Sequence, residues 1–321
     1  MKQIFDNYEE MLSRIHPLSI NELNGRVLRI PASKKSRQNR EILMLYGHHS
    51  SLERVYGIAE NAADYGNVTL PDLPGFGGMD SFYEIGMKPT LDNMADYLAT
   101  FVKLRYRGKR LSILAMSLGF VVATRMLQRY PELAKKVDVL VSMVGFTRVD
   151  DFTLSKNRQL MYKNLCRVFK SRVGSSIFYN LALNPLVLKT FYGRTHNAKN
   201  KFKHLTNEQK KAMMNFEIIL WRNNEVRTYM ETSLIMLGLD NCQKQVLLPV
   251  HHISVDGDQY FDNRIVEQHM RVIFTDFFNH TAVMPNHAPT VISKKEEAAN
   301  FMPDSLRKIL QGLPPAKKVT A

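Results

Sequence analysis

Short apolar runs alternate with longer stretches of helical spacing along most of the chain. The runs are short enough to be buried strands, and the stretches between them have apolar residues three or four positions apart, as helices do. The predicted strands are 41–46, 67–70, 111–116, 137–144 and 249–255. The predicted helices are 52–65, 90–106, 118–128, 262–271 and 294–311. Strands and helices alternating at this spacing predict parallel βαβ units and an α/β fold.

The pattern changes after Gly145, where no convincing strand occurs for about one hundred residues, far beyond ordinary loop lengths. Residues 148–245 have helical periodicity and are rich in lysine, arginine, asparagine, methionine and aromatic residues. We therefore predict an α/β core interrupted by a helical cap segment. The predicted ranges are 1–147 for the first part of the core, with a helical segment at 1–25, then 148–245 for the cap segment, 246–312 for the second part of the core, and 313–321 for a disordered tail.

Positive charge is concentrated in the cap segment. The chain has a formal net charge of +14, and residues 148–245 contain 17 lysines and arginines against 7 aspartates and glutamates. The runs "KNLCRVFKSR" and "GRTHNAKNKFKH" either rest on an anionic membrane, attract a negatively charged substrate, or form a solvated face. No nucleic-acid-binding motif accompanies them, so nucleic acid is not an expected partner.

Cysteine usage and the N-terminus bear on compartment and metal binding. The two cysteines, Cys166 and Cys242, are not spaced like metal ligands or a disulfide framework. No apolar run approaches the roughly 18 residues that cross a bilayer. The N-terminus has Asp6, Glu9 and Glu10 among its apolar residues, unlike a secretory signal. We expect a cytoplasmic protein, with peripheral membrane association through the cap segment left open.

Ser117 occupies the point where a predicted strand meets a predicted helix, in "SILAMSLGF". Small residues, Ala115 and Gly119, stand two positions before and after it, giving the pattern A-x-S-x-G. A nucleophile elbow needs such small flanks because its strand-to-helix turn is tight. The alternative is an ordinary serine that caps the helix.

Five stretches in order resemble α/β-hydrolase-fold serine hydrolases with a helical cap. They are "LMLYGHHSS", "LPDLPGFGGMDSF", "AMSLGFVVATRMLQRYPELAKKVDVLVSM", "PVHHISVDGDQYFDN" and "MPNHAPTVISKKEEAANFM". The resemblance covers about 40–145 and 247–305, and it implies a mostly parallel central sheet with helices on both faces and an inserted helical cap. The sequence departs from the family pattern at Ala115, at Tyr46, where histidine often stands, and at Val255, where glycine is customary.

The resemblance implies a catalytic triad. A serine hydroxyl needs an imidazole to take its proton and a carboxylate to orient that imidazole. Ser117 is the expected nucleophile, and His287, in a loop before the last helix, is the favoured base. The other histidines considered for this role are His280 and the pair His48–His49.

The acid has more than one candidate. The resemblance favours Asp258, which follows the strand that ends in Val255. Asp256 is an alternative at the strand end, whereas Asp262 suits the cap of the next helix. Asp150 or Asp151 would match relatives that carry the acid after an earlier strand.

The resemblance also assigns an oxyanion hole to two backbone N–H groups, those of His48 and Leu118, which would stabilise the negative charge that grows during attack. It implies no organic cofactor and no metal. Epoxide hydrolases and dehalogenases have aspartate where Ser117 stands, which argues against both chemistries.

The expected function is hydrolysis of carboxylic esters, as in esterases and lipases, through an acyl-enzyme intermediate. The expected partner is a small, lipophilic ester or acyl substrate, with apolar residues of the cap segment either lining its pocket or packing the cap. Two alternatives remain: hydrolysis of a carbon–carbon bond in a diketone-type substrate on the same triad, and a non-catalytic protein that binds a small ligand in the same cleft.

Overall fold

An eight-stranded sheet runs through the protein, which is represented by a computed structural model that describes residues 5, 8–194, 206–282 and 292–312. The strands are β1 (Ile15–Ile20), β2 (Leu23–Ile30), β3 (Glu41–Leu45), β4 (Asn67–Pro71), β5 (Leu111–Met116), β6 (Val137–Met143), β7 (Val250–Val255) and β8 (Phe277–Ala282). Their order is β1-β2-β4-β3-β5-β6-β7-β8. Strand β2 is antiparallel to β1 and β4, and the six strands from β3 to β8 are parallel to one another.

The described helices surround the sheet and fill the segment between β6 and β7. They are α1 (Tyr8–Ser13), α2 (Tyr56–Ala62), α3 (Leu91–Arg105), α4 (Leu118–Arg129), α5 (Pro131–Ala134), α6 (Lys156–Phe169), α7 (Arg172–Ile177), α8 (Pro185–Arg194), α9 (Asn207–Asn223), α10 (Val226–Leu237), α11 (Asn263–Ile273), α12 (Lys295–Ala298) and α13 (Asp304–Gln311). A π-helix, Phe178–Ala182, follows α7. Among the described residues, no helix is both long and apolar enough to span a bilayer.

The central strands form the core because apolar side chains cover both of their faces. Every residue of β3 and β5 is buried, as expected for parallel strands covered by helices. Helices α3 and α4 pack against each other beside this sheet. The parallel arrangement places the carboxyl ends of β3, β5, β6, β7 and β8 at one edge.

The N-terminal prediction was wrong. A helical segment was expected over 1–25, but the described helix there is only α1, and β1 and β2 form a hairpin. Two residues, Asn21 and Glu22, connect the strands with φ of 50° and 69°. Two positive φ values are characteristic of a type I′ turn, whose usual glycine is replaced here by Glu22.

The last predicted helix is interrupted. The range 294–311 was expected to be continuous, but α12 and α13 are separated by a short 3-10 turn and Pro303. A proline interrupts a helix because it cannot donate a backbone hydrogen bond. The predicted tail at 313–321 lies outside the described residues.

The helices between β6 and β7 have a small apolar cluster of their own. It contains Cys166, Leu183, Leu188, Ile218, Val226 and Met230, with Tyr179, Met214 and Trp221 packed against it. Helix α9 connects this cluster with the main core, because Phe216 and Leu220 belong to the core and Ile218 to the cluster. Apolar packing thus holds the cap segment on the sheet domain.

Candidate active site

Ser117 lies between β5 and α4 in a backbone conformation that is unusual for serine. Its φ and ψ are 47° and −117°, and a positive φ is uncommon outside glycine. The side chain makes no capping hydrogen bond to α4, so the alternative of an ordinary cap finds no support. The strained turn is therefore a feature that often marks functional sites, and the hydroxyl is not used to cap the helix.

Two glycines allow this turn to pack closely on β3. A Cβ added at Gly119 would lie 2.5 Å from the carbonyl oxygen of Tyr46, and one added at Gly47 would lie 3.0 Å from Cβ of Ser117. Ala115, the other small flank, is fully buried. Gly47 therefore brings the loop after β3, residues 46–51, directly against the serine. We call this segment the β3 loop.

The two predicted oxyanion amides both lie next to Ser117. Leu118 is the first residue of α4, so its N–H has no partner within the helix. His48 follows Gly47, the residue in contact with Ser117. The N-terminal end of α4 adds a partial positive charge at the same place.

The imidazole of His48 is held by α10. Thr232 Oγ1 donates to the carbonyl of Thr228 at 2.7 Å, so it accepts from Nε2 of His48 at 3.0 Å. The His48 ring also packs on Tyr229, with centroids 4.2 Å apart. Burial, and to a lesser degree the neighbouring His49, lower the pKa of His48 to about 3. His48 is thus a neutral imidazole that packs against α10.

His49 is bound to the cap segment by a second set of contacts. Asn224 Nδ2 donates to Nδ1 of His49 at 3.4 Å, so Nε2 carries the proton and donates to Oε2 of the buried Glu217, also at 3.4 Å. The ring lies 4.0 Å from that of Trp221. His49 itself has a positive φ of 53°. The cap helices thus hold both histidines of the β3 loop.

Tyr46, the departure from the family's histidine, supports the loop that follows β4. Its hydroxyl donates to Oδ1 of Asp72 at 2.9 Å and accepts from the backbone N–H of Leu73 at 2.8 Å. Asp72 is fully buried and also pairs with Arg26, at 2.9 Å. Burial raises the pKa of Asp72 to about 8, against the opposing effect of Arg26. The sequence showed the departure but not this partner.

The candidate acids lie in different environments. Asp258 follows β7, and its Oδ1 accepts from the N–H groups of Tyr260 and Phe261 at 2.8 and 3.3 Å. Asp256 is exposed in the same turn. Asp262 caps α11 through the N–H groups of its first turn, as the sequence had predicted.

The third-ranked acids have other partners. Asp151 is fully buried, accepts from the N–H of Thr147 at 2.7 Å and pairs with Nδ1 of His269 at 2.5 Å. Asp150 is exposed and lies 3.3 Å from Arg148. Asp151 therefore fixes the chain after β6 against α11.

Hydrogen bonds join the strand ends that carry Ser117 and Asp258. The N–H of Ser117 donates to the carbonyl of Met143 at 3.1 Å, and the N–H of Val144 donates to that of Ile253 at 2.9 Å. Asp258 follows β7 by three residues. Two strand spacings correspond to about 10 Å, a gap that an imidazole between them would bridge.

His287 lies outside the described residues, but the described residues before and after 283–291 reach this region. Strand β8 ends at Ala282, paired with Val255 at the end of β7. The N–H of Ile292 donates to the carbonyl of Arg54 at 2.9 Å, and the Arg54 guanidinium donates to the carbonyl of His49 at 2.7 Å.

His280, a rival base, lies within β8 and is engaged elsewhere. Its Nε2 is 3.1 Å from Nδ1 of His251, and its Nδ1 is 2.7 Å from Oγ of Ser305. Burial lowers its pKa. These contacts join β7, β8 and α13 and leave neither ring nitrogen for a reaction.

A cleft in the cap segment is lined by a residue that also contacts the β3 loop. It has a volume of about 320 Å³ and lies between the π-helix and the junction of α9 and α10. Tyr179 and Arg222 line it, and so does Asn224, which also contacts His49. Within the described residues, no group of three or more histidine, cysteine, aspartate or glutamate side chains is placed to hold a metal ion.

Comparison with known proteins identifies the fold. No protein-family model and no curated protein matches the sequence, but solved structures do. A thermophilic esterase from Thermogutta terrifontis matches with a TM-score of 0.60 and 15% identity, over 92% of this chain and 97% of its own. The epoxide hydrolase CorEH gives 0.64 and 12%, over 92% and 97%. The enol-lactonase of Burkholderia xenovorans gives 0.56 and 11%, over 83% and 91%. With its parallel sheet and elbow turn, the chain has the α/β-hydrolase fold.

Proposed function

We propose that this protein is a serine hydrolase of carboxylic esters. Ser117 is the nucleophile, His287 the general base and acid, and Asp258 the carboxylate that orients the imidazole. The N–H groups of His48 and Leu118 form the oxyanion hole. The observation that carries this proposal is the Ser117 backbone, whose strained turn holds an uncapped hydroxyl beside Gly47.

The reaction proceeds in two halves. Ser117 Oγ bonds to the ester carbonyl carbon while His287 takes its proton, and the two N–H groups stabilise the resulting oxyanion. The bond to the leaving alcohol then breaks, and His287 returns the proton to the alcohol oxygen. Water repeats the sequence on the acyl-enzyme and releases the carboxylic acid and free serine.

The proposed substrate is a small lipophilic ester. Aromatic rings pack against the β3 loop, since His48 contacts Phe76 and Tyr229, and His49 contacts Trp221. An apolar surround favours an acyl chain over a charged group and strengthens the oxyanion contacts by excluding water. Serine at 117 distinguishes the proposed chemistry from that of epoxide hydrolases that use an aspartate nucleophile.

The proposal is tested with p-nitrophenyl esters of increasing chain length. We expect hydrolysis by the wild type and a loss of about 10⁴-fold or more in kcat for Ser117→Ala and His287→Ala. Asp258→Asn should lose about 10³–10⁴-fold because the imidazole is no longer oriented. Asp256→Asn and His280→Gln are the matched controls and should retain most of the wild-type rate.

Other outcomes select between the alternatives. If Asp256→Asn is inactive and Asp258→Asn is active, Asp256 is the acid. A wild type that cleaves a diketone and no ester would be a carbon–carbon bond hydrolase. A wild type that cleaves neither and still binds a small ligand would be a non-catalytic binding protein.

A further inference from the structure

Part of the cap segment exposes large apolar side chains to solvent. On α6, Met161, Leu165 and Val168 are exposed, and the series continues with Val173, Leu181 and Leu186, which are 71%, 67% and 74% exposed. We call these six residues the apolar cap face. Single exposed apolar residues are ordinary, but a series on consecutive helices marks an interaction site.

Helix α6 shows that the exposure follows from how the helix is oriented. Met161, Leu165 and Val168 are spaced i, i+4 and i+7 and therefore lie along one side. The less exposed side carries Gln159, Lys163 and Cys166 at the same spacing. Apart from Phe169, which packs against the apolar cluster of the cap segment, the helix turns polar or small residues towards the protein and large aliphatic ones away from it, the reverse of an ordinary surface helix.

The charge around this face indicates what covers it. Residues 152–207 contain eleven lysines and arginines and no aspartate or glutamate. Lys156, Arg158, Arg167 and Arg172 are exposed on α6 and α7. A second copy of this chain would bring the same positive charge against itself, which is unfavourable. The occupant is therefore both apolar and anionic.

We propose that the apolar cap face binds an anionic lipid surface. Aliphatic side chains enter the boundary between headgroups and acyl chains, while the long basic side chains reach the anionic headgroups. A lipid surface accommodates apolar residues from several helices without a complementary groove. The attraction of lysine and arginine to anionic lipid falls off within a Debye length, so binding weakens with salt.

The position of the apolar cap face also suggests how substrate reaches the active site, and this part of the inference rests on the proposed function. Helix α6 packs on α10, which holds the imidazole of His48. Tyr179 of the π-helix and Asn224 line the cleft, and Asn224 also contacts His49 of the β3 loop. A lipophilic ester dissolved in the bound lipid would therefore be delivered next to the oxyanion hole.

The test measures co-sedimentation with vesicles of phosphatidylcholine, with and without phosphatidylglycerol. Ser117→Ala is included so that binding is measured independently of catalysis. We expect both proteins to bind vesicles that contain phosphatidylglycerol, and to lose about tenfold or more in affinity between 0.05 and 0.5 M salt. The triple variant Met161→Ser, Leu165→Ser, Val168→Ser should lose about tenfold or more.

The control is a triple variant that replaces exposed apolar residues outside the apolar cap face: Leu104→Ser, Leu247→Ser, Phe278→Ser. It should bind as the wild type does. Failure of the wild type to bind anionic vesicles at low salt would overturn the proposal, as would equal losses in the two triples. If the wild type dimerises without lipid and the triple variant of α6 does not, the face is a self-association surface and the proposal is overturned. An inactive protein that binds vesicles would leave this proposal standing and the proposed function refuted.

Discussion

Helices α4 and α6 have similar lengths, 12 and 14 residues, but differ in what covers them. In α4, every residue from Leu118 to Thr124 is buried. In α6, Cys166 is the buried residue, and large aliphatic side chains face outward. The apolar residues of α4 are explained by packing within the protein, because the side chains from Leu118 to Thr124 are buried against other parts of the chain. The outward side of α6 has no such explanation within the described chain, and we assign it to a partner.

The largest expected effect on stability comes from adding one methyl group behind Ser117. In Gly119→Ala the new Cβ would lie 2.5 Å from the carbonyl oxygen of Tyr46. Overpacking of this kind should lower the free energy of unfolding by about 1–3 kcal/mol and displace the elbow. Urea unfolding and ester hydrolysis measure both effects. Gly238→Ala, with its nearest contact at 3.4 Å, is the control, and equal stability of the two variants would contradict the packing described.

A smaller effect is expected where core and cap meet. His49→Ala should lower kcat about tenfold, because the β3 loop loses its contacts with Glu217 and Asn224 and the neighbouring oxyanion N–H is less well positioned. Glu217→Gln keeps an acceptor for Nε2 and should retain most of the rate. Steady-state kinetics separate kcat from KM. Unchanged kcat in His49→Ala would show that the cap does not position the loop.

The neutral His48 predicts a pH effect of about 1 kcal/mol. Its pKa is about 3 in the folded protein and about 6.5 when unfolded. Between these values the unfolded chain binds the additional proton, so this group's contribution is complete above pH 6.5 and is lost as pH falls towards 3. Between pH 6.5 and pH 5.5, the wild type should lose about 1 kcal/mol more than His48→Gln in urea unfolding. Parallel pH profiles would contradict the assigned neutral state.

The smallest effect is expected on the outward side of α6. The triple variant Met161→Ser, Leu165→Ser, Val168→Ser should change the free energy of unfolding by less than about 0.5 kcal/mol per site, because these side chains are exposed. Thermal unfolding without lipid measures this. A loss comparable to that of Gly119→Ala would mean that the apolar cap face packs within the protein.

The sequence predicted correctly those elements whose apolar spacing matches the face that the structure buries. The five predicted strands correspond closely to β3, β4, β5, β6 and β7, and α3 and α4 lie where helical spacing was found. The hairpin of β1 and β2 was missed because its turn, Asn21–Glu22, lacks the glycine that signals a type I′ turn. Pro17 further weakened the strand pattern, although an edge strand such as β1 tolerates proline.

The site was predictable where a local motif fixes the chemistry. Small residues around Ser117 indicated the elbow. The role of Tyr46 was not predictable, because its partner Asp72 is 26 residues away in the sequence. The two side chains meet only because β3 and β4 pair side by side in the sheet. The same holds for His49 and Glu217, which belong to different parts of the fold. His287 and Asp258 remain predictions.

The most direct test of the central claim is to locate a covalent adduct. The protein is treated with a fluorophosphonate probe, digested, and analysed by mass spectrometry. We predict a single phosphonylated residue, Ser117, no labelling of Ser117→Ala, and full labelling of Asp256→Asn. An unreactive wild type, or an adduct that persists in Ser117→Ala, would contradict the assignment of Ser117 as the nucleophile.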